Sequence, residues 1–240
     1  MNIIYRIRRK VHKAFYPAMG EVWMLHRVVP TRSTDPRQKE IEITPEYLEG
    51  LILRYRDKGY RFISIDEVAH ILAQHKQRPK SEKFVCITLD DGYADNHEYA
   101  YPIFKKYNTP FAIYVTTGFI EGTAPMWWYD TPPKMLKWEQ IRALDSDPLC
   151  TIGIHTVTHP RLTEIDNEEV LSEIKESKNI LEQHLGHMLC HFSYPHGSYD
   201  AAVRQAVEDE NIRSAVLVWG GKVRRDQNVF EIPRIPITQP

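Results

Sequence analysis

The feature that most constrains this chain is its steady alternation of β-prone apolar runs with amphipathic helical stretches. Glu21–Val29, Arg61–Ile65, Phe84–Leu89, Phe111–Val115, Cys150–Ile154, Cys190–Tyr194, Ser214–Val218 and Glu231–Ile237 have strand character. Helical signals fall between them. Thr44 with Pro45 opens a helix that Gly59 stops. Ser64 with Glu67 makes a capping box for a helix to about Gln74. Asp95–Tyr107, Lys137–Leu144 and Ala201–Glu208 have helical spacing. Asp166 caps Asn167–Leu185, with Val170, Leu171, Ile174, Ile180 and Leu181 expected to face inward. Thr31–Lys39 and Gln77–Lys83 read as polar loops. Strict alternation argues for a parallel α/β fold, and about six to eight strands are enough to close a barrel. A doubly wound open sheet would normally bring a Gly-rich phosphate loop, and the sequence has none.

The length of 240 residues matches one barrel domain of about 200–250 residues. The expected organisation is therefore a single domain over 1–240 with a basic segment at 1–20. A formal charge of −1 gives no overall field for nucleic acid. Cys86, Cys150 and Cys190 show no CxxC spacing, which argues against a zinc knuckle or a disulfide framework. The basic N-terminus (Arg6, Arg8, Arg9, Lys10, Lys13) lacks the apolar core of an export signal, and no stretch is apolar enough to span a bilayer. The expectation is a cytoplasmic protein. Ile3, Ile4, Ile7, Val11 and Phe15 fall near helical spacing, so residues 3–15 form either a peripheral membrane contact or a helix packed on its own domain.

Four polar clusters follow strand candidates: His26, Asp90-Asp91, His155 to His159, and Tyr194-Pro195-His196-Gly197. In α/β barrels the residues after the strands share one mouth, so the four converge. Adjacent carboxylates at the end of a buried strand repel each other unless a cation compensates. His155 and His159, four apart, place two imidazoles on one side of a turn. Neutral imidazoles with one carboxylate suit a zinc-type site with open positions.

These motifs resemble those of the polysaccharide deacetylases, the NodB-homology carbohydrate esterases. Thr88-Leu89-Asp90-Asp91-Gly92 corresponds to their first motif and His155–His159 to their second. Ser193-Tyr194-Pro195-His196-Gly197 stands at the third, with its arginine and tyrosine changed. Met24-Leu25-His26-Arg27-Val28 is similar to the N-terminal histidine segment of circularly permuted members. The resemblance implies a deformed (β/α) barrel of about seven parallel strands. It also implies metal-dependent removal of an acetyl group from an N-acetylated sugar of a polysaccharide, glycan precursor or lipid-linked sugar. Asp91, His155 and His159 would hold a divalent metal, Zn²⁺ in the first instance, with Co²⁺, Ni²⁺ or Fe²⁺ as alternatives. Asp90 would be the general base and His26 the general acid. Such an ion lowers the pKa of its water to about 7 and polarises the carbonyl.

The third-motif departures leave the base without its usual arginine; Arg234, in the last strand, is the candidate replacement. His196, through its backbone N–H, and Tyr194 are candidate oxyanion or substrate contacts. The excursion Thr116–Asp147 is long and aromatic. Trp127 and Trp128 with Tyr129 either stack on a sugar or anchor that loop, and Trp219 is a weaker candidate of the same kind. His12, His70, His75, His97, His184, His187 and His191 read as surface or core histidines. Three other functions remain open: a non-haem iron oxygenase, a degenerate glycan-binding module, and an O-acetyl esterase or small-molecule amidohydrolase.

Overall fold

The computed structural model describes residues 18–74 and 83–240. The segment 3–15, His12 and His75 lie outside them. Among the described residues the elements run in the following order. β1 (Ala18–Leu25) is followed by β2 (Arg27–Val28), α1 (Pro36–Lys39), β3 (Glu42–Ile43), α2 (Pro45–Asp57), β4 (Arg61–Phe62) and α3 (Ile65–Ala73). β5 (Phe84–Asp91) leads into a π-helical turn (Asn96–Ala100) continuous with α4 (Tyr101–Lys106). Then come β6 (Phe111–Val115), α5 (Thr117–Glu121), α6 (Trp138–Asp145), β7 (Cys150–Ile154) and α7 (Asn167–Leu185). The chain closes with β8 (His191–Ser193), α8 (Ala201–Asp209), β9 (Ser214–Gly220), β10 (Val223–Arg224) and β11 (Ile232–Pro236).

Seven strands close on themselves in the order β1-β11-β9-β8-β7-β6-β5, and β5 returns to β1. Every pairing around this ring is parallel. The seam is long: Gly20 pairs with Phe84 and the register holds to Leu25 with Leu89. The expected deformed (β/α) barrel of seven parallel strands is thus the observed fold. Four short strands lie outside the ring: β10 is antiparallel to β1, β4 is parallel to β5, and β2 pairs with β3 in a separate parallel ladder.

Side chains alternate across each strand. Val22, Phe84, Cys86, Ala112, Tyr114, Val216 and Ile232 form one buried cluster inside the ring, joined by Ile65, Val68 and Leu72 of α3. Trp23, Leu25, Val85, Ile87, Leu89, Phe111, Ile113 and Val115 belong to the other, under the outer helices. Gly153 lets strands approach closely: a Cβ there would lie 2.4 Å from Cδ1 of Tyr114.

Several expectations need correction. Residues 36–39 are a short helix rather than loop, because Asp35 accepts the Arg37 N–H and Pro36 presets the first turn. Leu171 is exposed at 41%; it sits on the outer edge of α7 while Val170, Ile174 and Leu181 take the inner face. α5 fills part of the aromatic excursion with a helix too short to show periodicity.

Candidate active site

β5 carries the two carboxylates by opposite routes. Asp90 shares the inner face with Cys86 and so points into the barrel, where it is 2% exposed. Asp91 closes the strand at φ +74°, a left-handed conformation uncommon for any residue but glycine. Thr156, His159 and His196 also have positive φ, at 65°, 60° and 57°. Of the six non-glycine residues of this kind among those described, four therefore line one mouth of the barrel. Such concentration of backbone strain marks a functional site.

The segment 155–161 is a loop, not the helical turn that four-residue spacing suggested. Its shape comes from α7: Glu173 accepts the N–H groups of Val157 and Thr158 at 2.8 and 2.9 Å. The two imidazoles still meet, with ring centroids 4.8 Å apart. Asp91 Oδ1 lies 3.6 Å from His155 Nε2 and 3.5 Å from His159 Nε2. One donor atom from each of Asp91, His155 and His159 falls within 4.8 Å of the others. His155 Nδ1–H donates to the Ser193 carbonyl at 2.8 Å, which fixes the tautomer with the Nε2 lone pair toward Asp91. Asp91 Oδ1 is buried and makes no hydrogen bond. Burial drives His155 down to about 4 and His159 to about 3, so both are neutral donors at ordinary pH. A divalent ion fits this set, since it would satisfy the orphaned carboxylate oxygen between two neutral imidazoles.

Arg234 reaches this mouth from β11 and is fully buried. Its Nη1 donates to Asp90 Oδ1 and its Nη2 to Asp90 Oδ2, both at 2.7 Å. Thr88 Oγ1 and Ser193 Oγ accept from the same guanidinium at 3.1 and 3.0 Å. Burial would raise the Asp90 carboxyl, but Arg234 holds it well below the usual carboxylate range. Ser193 also donates to Asp90 Oδ2 at 3.4 Å, and that oxygen lies 3.9 Å from His155 Nε2. Ser193 and Thr88 are therefore parts of the surroundings of Asp90 that sequence reasoning missed. Their alternation with Asp90 along inner faces was the available signal.

His26 follows β1 and lines a cleft of about 540 Å³ with Arg32, Trp219 and Ile237. A charge on its ring acts on both Asp90 and His159. Asn96 donates to the His26 carbonyl at 2.8 Å, while Asp95 accepts from Val28 N–H and Arg27 Nε. His196 stacks edge-on against His159, its ring centroid 4.4 Å away, and its Nε2–H donates to the His159 carbonyl at 3.3 Å. Trp128 packs on His159 at 5.5 Å between centroids. Trp127 touches Trp128 and is 74% exposed. Tyr129 anchors the excursion instead, buried against Tyr93.

Tyr194 is a correction. Its hydroxyl donates to the Phe230 carbonyl at 3.1 Å and its ring is fully buried against Phe192 and Tyr199. Successive side chains at a strand end face opposite ways. Ser193 takes the inner face, so Tyr194 turns outward, away from Asp90.

Comparison with known proteins places this barrel in a family. The family model described as polysaccharide deacetylase matches residues 77–215, more than half of the chain, and the chain belongs to that family. YxkH of Bacillus subtilis (strain 168) is 28% identical over 222 residues, 92% of this chain and 72% of that one. The poly-beta-1,6-N-acetyl-D-glucosamine N-deacetylase of Escherichia coli (strain K12) is 28% identical over 115 residues, 42% of this chain but only 16% of its own length. Among solved structures, the Streptococcus pyogenes deacetylase PplD in complex with acetate superposes with a TM-score of 0.78 at 25% identity, covering 91% of this chain and 92% of that one. IcaB from Ammonifex degensii has the same fold, with a TM-score of 0.78 at 23% identity and 92% of each chain covered. Among the described residues no helix is long and apolar enough to cross a membrane.

Proposed function

We propose that the protein hydrolyses the acetamido group of an N-acetylated sugar in a polysaccharide or glycan precursor. The observation that carries this reading is the meeting of Asp91, His155 and His159 beside a buried, arginine-paired Asp90. The similarity to an N-acetylglucosamine polymer deacetylase over part of the chain supports the N-acetyl substrate.

Asp91, His155 and His159 would hold a divalent ion, Zn²⁺ by donor type, with Co²⁺, Ni²⁺ and Fe²⁺ compatible with the same set. When bound, that ion supplies a Lewis acid that polarises the acetyl carbonyl and acidifies water. Asp90 accepts the proton of the attacking water at Oδ2, the oxygen nearest His155. Arg234 is a positioning residue: its two parallel hydrogen bonds leave the carboxylate one orientation. The His196 N–H is the backbone donor we assign to the developing oxyanion. His26 is the group we assign to protonate the departing amine. Trp128, fixed against His159, walls the acetyl site, and Trp127 offers an open aromatic face to a neighbouring sugar ring.

The test is acetate release from a panel of N-acetylated and O-acetylated glycans by the metal-replete chain, with Asp90→Asn and His155→Ala as controls. Release from the N-acetylated members that falls by at least about 10³-fold in both variants is expected. Turnover untouched by those substitutions, or confined to O-acetyl substrates, refutes the assignment.

A further inference from the structure

The opposite mouth of the barrel, where the strands begin, holds a second group of metal-type donors that deacetylation does not use. β7 starts at Cys150, β8 at His191 and β9 at Ser214. The five residues of β7 separate this end from His155 by about 16 Å. α3 covers this mouth: Ile65, Val68 and Leu72 pack into the barrel interior. Asp66, beside Ile65 on the first turn of that helix, reaches across 125 positions of sequence to His191.

His191 is 1% exposed. Its Nε2 lies 3.0 Å from Asp66 Oδ1 and its Nδ1 lies 2.8 Å from Ser214 Oγ. One donor atom each from Asp66, Cys190 and His191 falls within 4.8 Å of the others. The three line a cleft of about 320 Å³. Asp66 and the Cys190 side chain both bond to His191, so the three donors already converge on one point. A borderline-soft cation accounts for all three, because thiolate, imidazole and carboxylate are its preferred protein ligands. Ser214 Oγ, accepting the Nδ1–H, holds the tautomer in which Nε2 is the ligand. Thiolate and carboxylate together balance the charge of a divalent ion. The cleft leaves the remaining coordination position to solvent.

We propose that Asp66, Cys190 and His191 form a second, thiolate-containing zinc-type site that clips α3 to the start of β8. It lies on the far side of the barrel from the deacetylase mouth and does not depend on the function assigned there.

Cobalt substitution tests it on the full chain, freed of metal and kept reduced by a phosphine. Co²⁺ bound by a thiolate gives a near-ultraviolet sulfur-to-cobalt band. The Asp91, His155 and His159 set contains no sulfur and cannot produce that band. The band is expected in the unsubstituted chain and in the Asp91→Asn/His155→Ala variant. It is expected to vanish in Cys190→Ser, where bound cobalt drops from two ions per chain to one. Ser214→Ala weakens the affinity read from the band by roughly tenfold. Absence of the band from the unsubstituted chain, or its survival in Cys190→Ser, overturns the proposal. The first of these readouts needs no variant to fold.

Discussion

Arg234 is the residue on which the catalytic mouth turns. A fully buried guanidinium and a buried carboxylate compensate each other, and removing one leaves the other charged in a dry interior. Arg234→Met is expected to destabilise the fold by about 3–5 kcal/mol in denaturant unfolding. Arg234→Lys keeps the charge but loses the fork, so stability largely returns while kcat stays depressed, because Asp90 is no longer held in one orientation. Trp127 and Trp128 should separate in kinetics. Trp127→Ala raises KM several-fold at constant kcat, whereas Trp128→Ala lowers kcat by disturbing His159. At this scale Asp90, Asp91, His155 and His159 were legible because each follows a β-prone run. Tyr194 was misread because motif position says nothing of strand parity. The inward turn of Ser193 decides it, and only the pairing register reveals that.

Elements were legible where they carry their own punctuation. Thr44, Ser64 and Asp166 each accept N–H groups of the helix they cap, as their sequence signatures imply. The loop holding His155 and His159 was not legible, since its conformation depends on Glu173 from a helix that follows it. Glu173→Ala frees the Val157 and Thr158 N–H groups and is expected to weaken metal affinity about 10–100-fold, measured by competition with a chelator. Asp147, in the turn between α6 and β7, gives a pH test of stability. Burial opposes its charge, but Lys105, Tyr101 and the Leu149 N–H lower its pKa to about 2. Its folded pKa lies below the unfolded value near 3.8, so its stabilisation is full above about pH 4 and fades as pH falls through 2. Asp147→Asn should therefore lower the unfolding free energy at pH 7 by on the order of 1–2 kcal/mol, and the difference should vanish near pH 2.

For the whole molecule, alternation of strand and helix was enough to indicate a parallel barrel, because few other arrangements cover both faces of such strands. How the ring closes was beyond it. β1 meets β5 across three intervening helices, and β11 slips between β1 and β9 from the far end of the sequence. Removing metal with a chelator is expected to abolish acetate release, and Zn²⁺ or Co²⁺ to restore it, while the far-ultraviolet circular dichroism of the barrel persists.

The late arrival of β11 carries a consequence for biosynthesis. Until the ribosome has released Ile232–Pro236, the nascent barrel has an open gap between β9 and β1 and no cation for Asp90. A polypeptide stalled before Ile232 must hold that aspartate solvated or protonated, so its sheet stays ajar. Closure of the ring and the pairing of Asp90 thus depend on the same strand.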